Sequence, residues 1–328
     1  MSTAHDPQLT ALVEALPRFQ RCIVTAHVNG EGDSFGSQLA LAHLLRQLGK
    51  EVFVINDSTV PVNLRFLPEI DLLQQPGEAL PPYDALFVVD VPVLERLGKV
   101  ATLRDRAKPI VVIDHHVPQQ PFGTLQYIDP KAAAAGQLVY RLYDALHVAI
   151  DREAAILLYV TLLTDTGSFR YSNTTGEVHR IAARLIEAGA EPSAIYQEIY
   201  EHRTVDDLRL QGVALQALQT TPDGALAWIA LSQARLQQAG VTLESSEALI
   251  DLPRSLWGTA AVYVTREIEP QVWRVSLRSK GRIDVNAVAQ QFGGGGHRAA
   301  SGCTLSGDEA TVVARLNAAL QPAIQAAR

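Results

Sequence analysis

Asp114-His115-His116 is the segment of this sequence whose residue types and spacing point most directly to chemistry. It follows the β-branched run Pro109–Ile113, a pattern typical of a buried strand. Ligands of open α/β sheets bind at the carboxyl ends of the strands, and one carboxylate with two imidazoles is well suited to holding a divalent metal ion. The triplet therefore predicts a metal site. A turn cap followed by two solvated histidines is the alternative for the triplet alone.

Three further segments supply the same kinds of group. They are a glycine-containing loop after the first predicted strand, the end of another strand, and the end of a predicted helix. Taken singly, each acidic residue is also a good helix cap or turn residue. Taken together, the segments supply enough ligands for two divalent ions that share a bridging carboxylate. The candidate ligands are His27, Glu31, Asp33, Asp90, His115, His116 and Asp165.

Paired metal ions indicate phosphoryl chemistry. Two ions about 3.5–4 Å apart stabilise both the attacking and the leaving oxygens of an in-line displacement. Carboxylates and imidazoles without thiolates favour hard to borderline ions, so we expect Mn²⁺, with zinc or cobalt as competitors. The sequence therefore predicts a phosphoesterase in which two metal ions activate water.

A second group of candidate binding residues lies near the C-terminus. The run from Gly293 to Gly296 precedes His297, and four glycines disfavour both helix and strand. We expect close backbone approach to an anion there, rather than a flexible linker. Just upstream, Arg278, Ser279 and Lys280 end a predicted strand and suit a terminal phosphate. The predicted substrate-binding residues are Arg278, Ser279, Gly294, Gly295, Gly296 and His297.

The elements that must position these groups alternate between strand and helix patterns from residue 21 to about 165. This alternation predicts a parallel sheet with helices on both faces. The predicted strands cover 22–26, 52–55, 85–89 and 110–113, and the predicted helices 35–48, 137–146, 153–164 and 178–188.

The rest of the chain predicts a second unit. A polar, helical stretch is followed by strand patterns at 225–231, 260–265 and 272–277 and by a closing helix near 309–326. At 328 residues the chain is long enough for two cores. We predict an α/β protein of two domains: a parallel-sheet catalytic domain at 1–188, a helical linker at 189–221, and a smaller α/β substrate-binding domain at 222–328.

Composition restricts the class of partner. Hydrophobic residues make up 47% of the chain and charged residues 19%, which is typical of a soluble globular protein with no membrane partner. The first 21 residues resemble an amphipathic helix rather than a secretory signal, and two cysteines far apart fit a reducing compartment, so we expect a cytoplasmic protein. The net charge of -7 argues against binding a long nucleic acid.

The order of these motifs resembles the DHH phosphoesterase family. The likeness is to its NrnA-type branch of nanoRNases and pAp phosphatases, which carry a DHH-associated C-terminal domain. It extends from the loop at 27–37 through Asp90, Asp114-His115-His116 and the segment 165–170 to the glycine run. The resemblance implies cleavage of short oligoribonucleotides, of about two to five nucleotides, to mononucleotides. It also implies dephosphorylation of 3′-phosphoadenosine 5′-phosphate (pAp) to AMP, and a homodimer is the candidate assembly.

The resemblance also implies individual roles. One metal ion would be bound by His27, Glu31 and Asp90, and the other by Asp33, Asp90, His115 and Asp165. His116 would contact the scissile phosphate or protonate the leaving oxygen, Asp114 would orient the histidines, and Arg170 would lie near the phosphate. Arg278, Ser279 and the glycine run would hold the nucleotide end of the substrate. Two departures from the family pattern are Glu31, where aspartate is usual, and Gln137, where glutamate is usual.

Two other functions fit the same residues. A cyclic or linear dinucleotide phosphodiesterase would use the same pair of metal ions, and the sequence does not separate it from a nanoRNase. A non-catalytic nucleotide sensor is the alternative of a different class. Two complete sets of metal ligands argue against a sensor, which has no need of them.

Overall fold

The computed structural model describes residues 6–117, 122–242 and 247–327. The chain divides into two compact units, residues 1–202 and residues 203–328. Both units combine strands with helices, as the sequence predicts. No helix in the described part of the chain is long and apolar enough to cross a membrane.

The first unit contains a parallel sheet of six strands in the order β3-β2-β1-β4-β5-β6. The strands are Arg21–Thr25 (β1), Glu51–Ile55 (β2), Leu73–Gln74 (β3), Ala85–Val89 (β4), Ile110–Asp114 (β5) and Leu125–Ile128 (β6). The three strands that precede the candidate ligands, β1, β4 and β5, are direct neighbours at the centre. Their carboxyl ends therefore lie side by side. The edge strands β3 and β6 are additions to the predicted set.

Helices cover this sheet unequally. They are Pro7–Ala15 (α1), Gly32–Gln47 (α2), Lys99–Leu103 (α3), Ala135–Ala145 (α4), Arg152–Asp165 (α5), Gly176–Glu187 (α6) and Pro192–Tyr200 (α7). A large core joins Val24, Phe87 and Ile113 of the sheet to α1, α2, α4, α5, α6 and α7. The opposite sheet face carries a smaller core that includes Val100 of α3. Both faces are covered, as predicted, but one carries nearly all of the helices.

The predicted linker at 189–221 is divided between the two units. Helix α7 belongs to the first unit, where Ile195 and Ile199 join the large core. The next helix, Val205–Gln216 (α8), belongs to the second unit, where Leu210 is buried. Residues Leu218–Thr220 (β7) pair with a strand of the second sheet. The division at residue 202 thus falls inside a segment whose amphipathic helices both pack against neighbouring cores.

The second unit contains a mixed sheet in the order β11-β12-β10-β9-β8-β7. After β7, its strands are Leu226–Leu231 (β8), Ala261–Glu269 (β9), Val272–Ser279 (β10), Gly295–His297 (β11) and Ala300–Ser306 (β12). The helices that follow α8 are Gln233–Ala239 (α9), Asp251–Arg254 (α10), Val285–Gln290 (α11) and Glu309–Ala326 (α12). One sheet face packs on α11 and α12, and the other on α8, α9 and α10.

Candidate metal centre and substrate-binding residues

The centre of the candidate site is Asp90, the residue that follows β4. Its backbone N–H donates to the carbonyl of Ile113 in β5 over 3.1 Å, and the residue is 2% exposed. Its φ of 59° lies in the left-handed region, which few residues other than glycine adopt. Such a conformation costs free energy and is often found at functional sites. Here it accompanies a carboxylate that contacts histidines from two directions.

The first cluster consists of His27, Glu31 and Asp90, whose potential ligand atoms all lie within 4.8 Å of one another. Nε2 of His27 lies 3.3 Å from Oδ2 of Asp90. On the other side of the ring, Nδ1 lies 2.9 Å from the carbonyl oxygen of Val28 and 3.1 Å from a guanidinium nitrogen of Arg96. Without a metal ion, Nε2–H donates to Asp90; with an ion bound, donation from Nδ1 to Val28 would leave the Nε2 lone pair available to that ion.

The second cluster consists of Asp33, His115 and Asp165, which also satisfy the 4.8 Å condition. Nε2 of His115 lies 3.3 Å from Oδ2 of Asp165 and 3.7 Å from Oδ2 of Asp33. The same nitrogen lies 3.5 Å from Oδ1 of Asp90. Asp90 therefore links the two clusters: its Oδ2 contacts His27 of the first, and its Oδ1 contacts His115 of the second.

Close packing of two helices brings Asp33 and Asp165 together. Asp33 lies in the first turn of α2, and Asp165 is the last residue of α5. A Cβ atom on Gly36 would lie 2.7 Å from Cγ2 of Thr161 and 2.9 Å from the backbone oxygen of Leu157, both in α5. Glycine is thus required for this approach of the helices. The glycine lets the two carboxylates reach the same imidazole.

Backbone donors fix the carboxylate of Asp33 from its other side. Its two oxygens accept the N–H groups of Ala135 and Gly136, at 2.7 and 3.1 Å. Gln137 is buried, and its side-chain oxygen accepts the N–H of Ala133 over 2.8 Å. The glutamine thus orders the loop that holds Asp33, although it lacks the charge of the usual family residue.

Asp114 organises the two histidines that follow it. One of its oxygens accepts the backbone N–H of His115 at 2.8 Å and that of His116 at 3.2 Å. The same oxygen lies 2.8 Å from Nδ1 of His116, so the carboxylate fixes the direction of that ring. Asp114, His115, His116 and Asp90 form a third group of potential ligands.

The buried charges of the site strongly perturb one another. Burial and the negative charges of Asp90 and Asp165 raise the pKa of Asp33 well above its usual range. Burial and the charge of Glu31 do the same to the pKa of Asp165. Burial opposes ionisation of Asp90, but hydrogen bonds from His115 and His27 dominate and hold its pKa well below the usual range.

These pKa shifts are the ones expected of a site that binds cations. Carboxylates that resist ionisation because other carboxylates surround them are stabilised as anions by a bound divalent ion. The oxygen and imidazole donors match hard to borderline metals, and two clusters joined by Asp90 offer two positions. The clusters thus have the composition and spacing of a metal centre.

Two further residues near this centre had no predicted role. Arg96 lies beside Nδ1 of His27, and Asn173 donates to the carbonyl oxygens of Ala133 and Asp165 at 3.2 and 3.1 Å. Neither ends a strand, so the pattern used to find the ligands does not detect them. Arg170 is exposed, and its Nε donates to the carbonyl of Gly167 over 2.6 Å.

The predicted substrate-binding residues of the second unit meet at one end of its sheet. Arg278 at the end of β10 pairs with Ala300 of β12, which pairs in turn with His297 of β11. Ser279 donates its backbone N–H to Ala299 over 2.9 Å. Its side chain is buried, and the hydroxyl donates to the carbonyl of Ile283 over 2.7 Å.

The glycine run has a structural reason besides ligand binding. Contrary to the expectation that four glycines disfavour a strand, Gly295 and Gly296 form part of β11. A Cβ on Gly294 would lie 2.2 Å from the backbone oxygen of Gly302, and one on Gly296 would lie 2.6 Å from that of Ala300. Close packing against β12 therefore requires two of these glycines.

Comparisons with known proteins identify the family of this chain. Residues 21–162 match the model of the DHH family, N-terminal domain, and residues 226–327 match the DHHA1 domain. The bifunctional oligoribonuclease and PAP phosphatase NrnA of Thermus thermophilus is 34% identical over 87% of this chain and 84% of its own length. The Bacillus subtilis protein of the same name is 28% identical over 92% and 95%.

A solved structure supports the same fold. The exopolyphosphatase-related protein from Bacteroides fragilis superposes with a TM-score of 0.91 at 24% identity, covering 100% of this chain and 99% of that one. The chain belongs to the DHH family and carries a C-terminal DHHA1 domain.

Proposed function

We propose that this protein is a metal-dependent phosphoesterase that degrades short oligoribonucleotides to mononucleotides and converts pAp to AMP. The observation that carries the proposal is the pair of clusters joined by Asp90, in a chain whose relatives from Thermus thermophilus and Bacillus subtilis are named for both activities. Two juxtaposed cation positions suit in-line displacement at phosphorus.

We assign the metal ligands from these clusters. The first ion would be held by His27, Glu31 and Asp90, and the second by Asp33, Asp90, His115 and Asp165. Mn²⁺ is the ion that we propose, because carboxylate and imidazole donors suit it. Ions bound there would polarise phosphoryl oxygens and would lower the pKa of a water nucleophile.

The residues around the metal ligands position the substrate and its protons. Asp114 holds Nδ1 of His116 and thereby aims the ring, so we assign His116 to the scissile phosphate or to protonation of the leaving oxygen. Arg170, oriented by the carbonyl of Gly167, is assigned to a phosphate oxygen.

The second unit is assigned to the nucleotide end of the substrate. Arg278 contributes a guanidinium, while the backbone of Gly294, Gly295 and Gly296 with His297 forms the neighbouring edge. Ser279 lies beside this edge. Its hydroxyl hydrogen is already donated to the carbonyl of Ile283, so we assign Ser279 to shaping the edge. The free, buried cysteines Cys22 and Cys303 accord with the cytoplasmic location that we propose.

A digestion series tests the substrate class. Labelled RNAs from dinucleotides to strands of about twenty nucleotides, pAp, and a cyclic dinucleotide are incubated with the enzyme and Mn²⁺. We expect rapid turnover of pAp and of substrates of about two to five nucleotides, and slow turnover of the longest strands. Equal rates on dinucleotides and the longest strands would contradict the preference for short substrates. Faster turnover of the cyclic substrate would favour the dinucleotide phosphodiesterase.

The digestion series has one matched control, and a separate measurement tests the oligomeric state. The exposed acid Asp71 serves as a matched control, since Asp71→Asn removes a carboxylate of the same unit that is not in the metal clusters. We also propose a homodimer, which sedimentation of the same preparation tests.

A further inference from the structure

Trp257 is a fully exposed tryptophan in the second unit, with an exposed fraction of 100%. The other two tryptophans of the chain, Trp228 and Trp273, are 8% and 1% exposed. A side chain of this size ordinarily buries most of its apolar area. An exposed indole alone indicates no site, but the loop that carries it is held in place and adjoins several cationic side chains.

The loop that carries Trp257 is fastened to the end of β10. The carbonyl oxygen of Leu256 accepts the ammonium group of Lys280 over 2.6 Å and the hydroxyl of Thr259 over 3.0 Å. The backbone N–H of Lys280 donates to Ala260 over 3.3 Å. Hydrogen bonds on both sides of Trp257 therefore fix the backbone that presents the indole.

Positive charge is concentrated beside this loop. Arg254, Arg278 and Lys280 line one depression together with Thr259 and Ser279. The protein as a whole carries a net charge of -7, so three cationic side chains at one place are a local feature. Guanidinium and ammonium groups suit phosphate oxygens. Trp257 follows Leu256, whose carbonyl accepts from Lys280, and its exposed aromatic face suits a base because stacking is available to every nucleobase.

We propose that Trp257 stacks on a nucleobase of the substrate while Arg254 and Lys280 bind a phosphate of the same nucleotide. The proposal rests on the proposed function and extends it. It adds a base contact and two cations to the binding residues at the end of β10. The ligand is a nucleotide, since an exposed indole on a loop that adjoins three cations matches a base linked to phosphate better than an apolar protein surface.

Intrinsic fluorescence tests this without catalysis. The enzyme is stripped of metal with EDTA to prevent turnover and titrated with pAp. Because Trp228 and Trp273 are buried, Trp257 is the fluorophore accessible to a stacked base. We expect saturable quenching that disappears in Trp257→Phe. Arg254→Gln should weaken the quenching by pAp severalfold and leave that by adenosine unchanged. Quenching that persists in Trp257→Phe would overturn the proposal.

Kinetics supply a second, independent readout. For a dinucleotide with Mn²⁺, Trp257→Ala should raise KM about tenfold or more while kcat changes much less, and Trp257→Phe should give an intermediate KM. Leu215→Ala removes another exposed apolar side chain of this unit and should keep the wild-type KM. An unchanged KM in Trp257→Ala would overturn the proposal.

The remaining outcomes are also decisive. If pAp quenches Trp257 but the wild type hydrolyses none of the substrates, the proposed function fails and the base contact stands. If Trp257→Ala dissociates a dimer in sedimentation and leaves nucleotide affinity unchanged, the indole belongs to a contact between copies, and the proposal is overturned.

Discussion

Nε2 of His115 lies 3.5 Å from Oδ1 of Asp90, although the two residues follow different strands of the first sheet. Their strands are adjacent, and the backbone N–H of Asp90 donates to Ile113, two residues before the histidine. The contact is therefore a consequence of strand register. It makes the carboxylate of Asp90 the group that contacts histidines of both candidate metal clusters.

Replacing that carboxylate tests its bridging role. Asp90→Asn keeps the shape of the side chain and tolerates the left-handed backbone at φ 59°. We expect kcat to fall by about a thousandfold or more, because an amide cannot supply two anionic oxygens to neighbouring ions. The thermal midpoint of the metal-free variant should stay within a few degrees of wild type.

Alanine at the same position distinguishes the effect of backbone strain on stability from the effect of the lost carboxylate on activity. Asp90→Ala should lose activity to the same extent, and its free energy of unfolding should fall by a further ~1 kcal/mol because alanine fits the left-handed region less well. Wild-type turnover with Mn²⁺ in Asp90→Asn would contradict the bridging role.

The approach of α2 to α5 gives a second prediction. Gly36→Ala places a methyl group 2.9 Å from the fixed backbone oxygen of Leu157, so the helices must separate. Unfolding free energy should fall by about 1–3 kcal/mol. Turnover should fall more than stability explains, since Asp33 and Asp165 move apart. Activity measured well below the unfolding midpoint checks this.

Two variants control for helix propensity and for the site of the clash. Gly212→Ala in α8 meets nothing within 4 Å, so it should stabilise the protein by about 0.5–1 kcal/mol and keep activity. Adding Thr161→Ser to Gly36→Ala removes Cγ2, the nearer of the two contacts, and should recover part of the activity. Full activity in Gly36→Ala alone would refute the packing argument.

Much of this site follows from the sequence, and the reasons are local. Asp90 and Asp114 end apolar, β-branched strands, so their position at one sheet edge follows from pattern and topology. The contact of Asp33 and Asp165 with His115 does not, because it depends on glycine packing between helices far apart in the chain.

The glycine run shows a second limit of the sequence. Intrinsic preference argued against a strand at Gly295 and Gly296, but pairing with β12 outweighed it. The hydroxyl of Ser279 likewise could not be known to donate to Ile283, since that contact depends on the turn after β10.

Metal binding should release protons. The pKa values of Asp33 and Asp165 are raised, by burial and neighbouring carboxylates, and that of His115 is raised because hydrogen bonding to Asp90 outweighs burial. A cation displaces protons from such groups, so Mn²⁺ affinity should fall as pH falls. Titration calorimetry in buffers of different ionisation enthalpy measures the protons released. No buffer dependence would contradict the raised pKa values.

Metal binding to the same residues should stabilise the folded state. A metal concentration one hundred times the Kd should stabilise the folded state by about 2.7 kcal/mol per site. The thermal midpoint should therefore rise with added Mn²⁺ after EDTA treatment. Asp90→Asn should show a smaller rise, whatever its activity.

The last prediction concerns His43, which lies further along α2 than the candidate ligand Asp33. Nδ1 lies 2.9 Å from Glu69 and Nε2 lies 2.8 Å from Asp151. Hydrogen bonding to Glu69, which outweighs burial, together with that to Asp151 raises the pKa of His43 to about 9. In the unfolded chain its pKa is about 6.5. The stabilisation is complete below about pH 6.5 and is lost as pH rises through about 9.

Denaturant unfolding at a series of pH values measures this loss. We expect the free energy of unfolding to fall by about 2 kcal/mol from this residue, after allowance for screening at Asp151, which is 41% exposed. His43→Gln should flatten the profile between pH 6.5 and 9, since glutamine does not titrate. His147→Asn changes an exposed histidine at a turn and should keep the wild-type slope. A slope unchanged by His43→Gln would show that other groups cause the pH dependence.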